Sequence, residues 1–136
     1  MADVKFEDQL PSENYTLGAR DTVYRRVFAR ADRILAAGRS VLLDATFLDI
    51  ANRTAAQALA DKMGVRMQAI WLEAPLPVLI DRVREHAGDA SDADESVVQH
   101  QFEGYQAPAG WHIVSAAGAL QQTIAEARLA LTSRET

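Results

Sequence analysis

The stretch Val41-Leu42-Leu43-Asp44-Ala45-Thr46-Phe47 constrains the fold more than any other part of the chain. It is short, nearly all apolar, and interrupted by a carboxylate. A run of this length and character reads as a strand buried on both faces, which marks a parallel sheet covered by helices. Open α/β sheets bind ligands outside the carboxyl ends of their strands. Asp44 and Thr46 are therefore the best-placed chemical groups in the sequence.

The remaining segments supply the partners such a strand needs. Thr16 is a candidate cap for a helix running to Ala37 and stopped by Gly38, with Tyr24, Val27, Phe28, Ala31, Ile34 and Leu35 at helical spacing. Arg20, Arg25, Arg26, Arg30 and Arg33 lie mostly off that stripe, as a solvated basic face or as a source of one phosphate-facing arginine. Asp49 is placed to cap an alanine-rich helix from about Ala51 to Met63, ended by Gly64 and suited to close packing on a sheet. Val65 to Glu73 reads as a second strand, and Pro75 fits the first turn of a helix over 75–87. Gly88 to Glu95 is small and acidic, and Asp92 with Glu95 has the spacing of a capping box for a helix to about Phe102. Trp111 to Ser115 reads as a third strand, and 119–132 as a last helix with Leu120, Ile124, Ala127 and Leu131 inward. Alternating helices and strands predict a three-layer α/β fold with a small parallel sheet of about three strands. At 136 residues the chain fits a single domain spanning 1–136.

Charge and composition exclude several functions. The 19 acidic residues outnumber the 14 basic ones, giving a net charge of −5, which disfavours a nonspecific nucleic-acid binder. With no cysteine, disulfides, thiolate catalysis and cysteine-based zinc sites are absent. No apolar run approaches the roughly 20 residues of a membrane span. Met1 to Pro11 lacks the apolar centre of a signal peptide, so a cytoplasmic protein is expected.

The chemistry-bearing residues fall into two groups. Asp44 with Thr46 either holds a magnesium ion beside a phosphate, directly or through water, or serves local turn hydrogen bonds. Arg82, Arg84 and His86 share one helix just before the small-residue loop. They either close over phosphate oxygens, which arginine forks suit, or form surface pairs with Asp81 and Glu85. Arg82 sits among the apolar positions Val78, Leu79 and Val83, which requires its head to reach a partner or water. His86, His100 and His112 lack metal-ligand spacing. The phosphate-cradling pattern Gly-x-x-x-x-Gly-Lys-Ser/Thr is absent: the two lysines, Lys5 and Lys62, follow Val4 and Asp61.

With these residues in view, the chain resembles the carboxy-terminal two-thirds of an AAA-type P-loop kinase-like ATP-binding domain. Such domains occur fused behind aminoglycoside phosphotransferase-like domains; gluconate kinase, zeta toxin and the kinase part of polynucleotide kinase are more distant kin. The resemblance is carried by Ala36-Ala37-Gly38-Arg39-Ser40-Val41 leading into Asp44-Ala45-Thr46-Phe47, by Arg53, and by Trp71-Leu72-Glu73-Ala74-Pro75. Arg82, Gly88 to Ala93 and Gln101 complete it, so that it covers about residues 10–130. It implies ATP and Mg2+ as cofactors and phosphoryl transfer to a small hydroxylated acceptor. Asp44 would be the Walker-B-like acid near magnesium, with Thr46 and Arg53 on the acceptor side. Arg82 would be a lid residue on the ATP phosphates, and Ser91-Asp92-Ala93 the lid's distal hinge. His86 stands where the family commonly has a second lid arginine, so Arg84 would have to substitute. A histidine is mostly neutral at pH 7 and grips phosphate more weakly.

In the family the first strand, phosphate loop, first helix and second strand precede what corresponds to this chain, and the strand order 2-3-1-4-5 would place that first strand between the strands at 41–45 and 66–72. This implies a truncated domain, impaired when alone. The alternative is a non-catalytic α/β module that forms homo-oligomers or binds a partner through exposed sheet edges. A third reading is an α/β enzyme that uses Asp44 without ATP. Neither nucleic acid nor membrane is an expected partner.

Overall fold

A computed structural model describes residues 17–87 and 92–133. The elements are α1 (Leu17–Ala36), α2 (Ile50–Met63), β1 (Ile70–Glu73), α3 (Leu76–Ala87), α4 (Asp92–Gly104), β2 (His112–Ser115) and α5 (Leu120–Thr132). Together they form an α/β chain with five helices and a small parallel sheet. The chain divides into two compact units, one ending at Met67 and the other beginning at Gln68.

In the first unit α1 packs on α2. Ala31, Ala56 and Ala60 are buried. With no side chain beyond Cβ they let the two helix backbones approach closely. The alanine-rich α2 thus packs on a helix, where a sheet was expected. Both ends of α2 are set by local chemistry. Asp49 is extended at φ −85° and accepts a hydrogen bond from the Ala51 N–H at 2.9 Å, satisfying one of the open donors of the first turn. Gly64 takes the left-handed conformation at φ 64° and returns its N–H to the carbonyls of Ala60 and Asp61. Gly38 ends α1 in the same way at φ 76°, with its N–H on Leu35 O. Thr16, the expected cap of α1, lies outside the described residues.

Between the two helices the expected strand does not form. Residues 39–44 belong to no helix, ladder or turn, and Leu42 is 90% exposed. The apolar run was read as buried on both faces. Instead only Val41 and Leu43 are half-buried, and Leu42 and Asp44 are exposed. A strand exists only by pairing, and the described part of this unit contains no other strand to pair with. The sheet of the described residues therefore has two strands, where about three were expected.

The segment ends in an aromatic lock. Phe47 is 6% exposed and adopts φ 47°, a left-handed conformation costly for a side chain of this size. Its N–H donates to the Tyr24 hydroxyl at 3.0 Å. Its ring meets Tyr24 edge-on at 5.5 Å and Phe28 at 6.5 Å, within the range of favourable aromatic pairs.

The second unit is a β-α-α-β crossover closed by α5. The strands β1 and β2 are parallel, with Ile70 opposite His112 and Glu73 opposite Ser115. Two flanking bonds, His112 N–H to Ala69 O and Ala116 N–H to Glu73 O, extend the ladder at both ends. Pro75 precedes the first residue of α3, and its carbonyl accepts from Val78 and Leu79. Val114 and Ala74 are the buried apolar residues here. Trp71 and Trp111 are half-buried and meet edge-to-face at 6.3 Å.

Helix α5 is rotated from its expected setting. Leu120, Ile124 and Leu131 were expected inward but are exposed. The half-buried face is Thr123, Glu126, Ala127 and Ala130. The Thr123 hydroxyl donates to Ser115 O at 3.2 Å, and Gln68 Nε2 reaches Leu131 O at 2.9 Å. These polar ties to β2 and to the approach of β1 set the rotation.

Candidate functional site

The candidate residues are held by two different supports, one in each unit. In the first, the loop between α1 and α2 carries Asp44 and Thr46, both exposed. Neither side chain makes a hydrogen bond or ion pair among the described residues. Asp44 is thus not spent on a local turn, and Asp49 performs the capping that the turn needs. Arg53 stands in the first turn of α2, half-buried, with its backbone N–H on Asp49 O. Val27, Arg30, Ala31 and Ile34 of α1 and residues 41–44 line an open groove of about 280 Å³. Arg30 is the one cation among the described residues that line this groove, undistinguished in the sequence among the five arginines of α1. The signal available was its position beside the apolar stripe, one residue before the buried Ala31.

In the second unit, α3 carries Arg82, Arg84 and His86. Arg82 is half-buried and forms no hydrogen bond or ion pair among the described residues. Arg84 forms both. Its Nε and NH2 groups hold both carboxylate oxygens of Glu95 on α4, the second contact at 3.1 Å. The expected surface partners Asp81 and Glu85 are bypassed for this longer-range fork. Glu95 was read as the far half of a capping box, yet its carboxylate is taken by Arg84. The Asp92 side chain and the hinge residue Ser91 lie outside the described residues. His86 is exposed at the end of α3. Arg84 therefore cannot replace a phosphate-gripping residue at position 86 without breaking its pair. The described residues contain no group of three or more histidine and carboxylate side chains that could by itself hold a metal.

The Arg84–Glu95 fork has a titration consequence. The hydrogen bond and charge of Arg84 hold the Glu95 carboxyl below its ordinary value of 4.5, while Glu95 raises Arg84. A depressed folded-state value means that the pair contributes fully above the unfolded value of glutamate. The contribution is lost as pH falls through the lowered folded value. Arg84 is exposed and Glu95 half-buried, so water screens the pair and the effect is small. Glu95→Gln is expected to leave stability near neutral pH little changed and to flatten its fall as pH drops below the ordinary glutamate value. Urea midpoints measured from pH 3 to pH 7 check this; an unchanged acid limb means that the fork does not persist in solution.

No helix among the described residues is long and apolar enough to cross a membrane. Comparisons with curated proteins and with solved structures return no match. A family model described as an AAA domain does match, over residues 1–108. This span contains the Asp44 loop, the capped helix with Arg53 and the whole of α3. The chain belongs to the AAA domain family, a P-loop kinase-like family whose members generally bind nucleotide.

Proposed function

We propose that the chain is a P-loop kinase-like ATP-binding protein of the kind that transfers a γ-phosphoryl group to a small hydroxylated acceptor. The observation that carries this reading is the family match over residues 1–108. Two side chains support it. Asp44 ends an apolar segment and Arg82 is half-buried, and neither side chain has a hydrogen-bond or ion-pair partner among the described residues.

Asp44 and Thr46 fit magnesium, which takes hard oxygen donors and prefers one or two carboxylates together with phosphate oxygens. When bound, that ion supplies charge neutralisation on the phosphates. Asp44 would hold the ion, and Thr46 and Arg53 would orient the acceptor. Arg82 would contact phosphate oxygens. His86 would contribute only weakly, and Arg84 only if it left Glu95. Phosphoryl transfer depends mainly on positioning and on neutralising charge, so these residues are the working parts.

The sequence contains no Gly-x-x-x-x-Gly-Lys-Ser/Thr loop, the usual backbone cradle for the phosphates. The chain alone is therefore expected to bind MgATP weakly, with a Kd of roughly 1 mM, about −4 kcal/mol. Amide NMR shifts during titration with ATP and Mg2+ to several times this concentration, about 5 mM, test it. Shifts in the Asp44 loop that are lost in Asp44→Ala, and shifts in α3 that are reduced in Arg82→Ala, are the expected results. A spectrum that does not move at that concentration refutes nucleotide binding by this chain.

A further inference from the structure

Phe47 is the one residue other than glycine that adopts a positive φ among the described residues, at 47°. A side chain of this size persists there only where its surroundings over-determine it, and such positions concentrate at sites held ready for a ligand. A chain that only had to turn would use glycine, as it does at Gly38 and Gly64. Phe47 instead carries a ring set against Tyr24 and Phe28 of α1, and an N–H that donates to the Tyr24 hydroxyl at 3.0 Å.

The loop ahead of Phe47 has no comparable support. Residues 40–46 make no backbone hydrogen bond to any described residue. The bond to Tyr24 is thus the first described backbone tether after Arg39. Thr46 stands immediately before it, and Asp44 close behind. Peptide planarity carries the effect of the bond to Thr46. The Phe47 N–H and the Thr46 carbonyl belong to one trans unit and point opposite ways. With the N–H aimed at Tyr24, the Thr46 carbonyl faces away from that hydroxyl, and the plane on which Thr46 ends is set. Without the hydroxyl the plane loses that hold. Phe47 can then relax from its strained φ, which redirects the residues ahead of it while the ring stays packed.

We propose that Tyr24 is a positioning residue: its hydroxyl holds the Thr46–Phe47 peptide and, through it, the placement of the Asp44 and Thr46 oxygens that MgATP would meet. What is positioned rests on the nucleotide reading; the geometry that positions it does not.

Tyr24→Phe keeps the ring contacts and removes the acceptor. Ala60→Gly is the control, since it weakens the same unit at a buried position of α2 and leaves the loop untouched. Both are studied by NMR at a temperature where each stays folded. The amides of Ala45 and Thr46 should have order parameters near ~0.85 in the unmodified chain and in Ala60→Gly, and below about 0.6 in Tyr24→Phe. Phe47→Gly, which removes the ring and the strain together, should loosen the same two amides. Titration with ATP and Mg2+ then reads the consequence: the Kd should rise about tenfold in Tyr24→Phe and less than about twofold in Ala60→Gly. An unmodified chain whose spectrum does not move overturns the nucleotide reading and the positioning role with it. Binding by the unmodified chain that persists at the same Kd in Tyr24→Phe overturns the positioning role alone. So do unchanged order parameters at Ala45 and Thr46, and so does an equal loss in Ala60→Gly, which would trace the effect to stability.

Discussion

Replacing Phe47 with alanine is expected to destabilise the first unit by about 3 kcal/mol, the low end of the cost of emptying a buried phenylalanine site. The ring is 6% exposed and contacts both Tyr24 and Phe28 of α1. It joins the loop before α2 to the first helix. Alanine would lose those contacts while keeping the strain of φ 47°, since its Cβ meets the same backbone. Phe47→Gly should be less damaging than volume alone suggests, because glycine adopts this φ at no steric cost. Tyr24→Phe separates the hydrogen bond from the packing. It keeps the ring and removes the acceptor of the Phe47 N–H, with an expected loss of about 1–2 kcal/mol. Urea denaturation followed by far-UV circular dichroism ranks the three variants. If Phe47→Ala unfolds at the midpoint of the unmodified chain, the aromatic lock does not exist in solution.

The second large effect is expected at Val114. It is 3% exposed and lies opposite Leu72 in the parallel ladder. Val114→Ala should cost about 2 kcal/mol through lost burial and the cavity left behind. Val114→Asp should prevent the sheet from forming, because an unpaired buried carboxylate costs several kcal/mol. The readout is specific. Both tryptophans, Trp71 and Trp111, belong to this unit, so tryptophan fluorescence reports its unfolding alone. An unshifted fluorescence transition in Val114→Ala would show that β1 and β2 do not pair as described.

Elements written in local chemistry were legible from sequence. Asp49, Gly64 and Gly38 were read as caps, and they act as caps because the determinants lie within a few residues. The order of α3, α4, β2 and α5 followed from periodicity and from turn residues in the same way. What was not legible is decided at a distance. The apolar run at 41–47 has every compositional mark of a strand, but composition encodes a tendency to be covered and not the partner that does the covering. Arg84 had acidic neighbours on its own helix, yet pairs with Glu95 eleven residues on. The face of α5 was read from its leucines and isoleucine, whereas its rotation follows hydrogen bonds from Thr123 and Gln68. Among the site residues, Asp44 and Arg82 were chosen for their positions, and neither has a partner among the described residues. Arg84 was chosen for its charge, which Glu95 already occupies.

The parallel register also sets an order of events during synthesis. Ile70 pairs with His112, 42 residues further along the chain. At a ribosomal rate of about 5–20 residues per second, β1 exists for roughly 2–8 s before its ladder partner emerges. Throughout that interval α3 and α4 can coil locally, while the apolar Trp71-Leu72 segment still lacks the ladder partner it has in the fold. Pairing that must span such a separation is slow even after release. The newborn chain is therefore most vulnerable to association through β1, and a pause or a bound chaperone would protect it most between the emergence of Glu73 and that of Ser115.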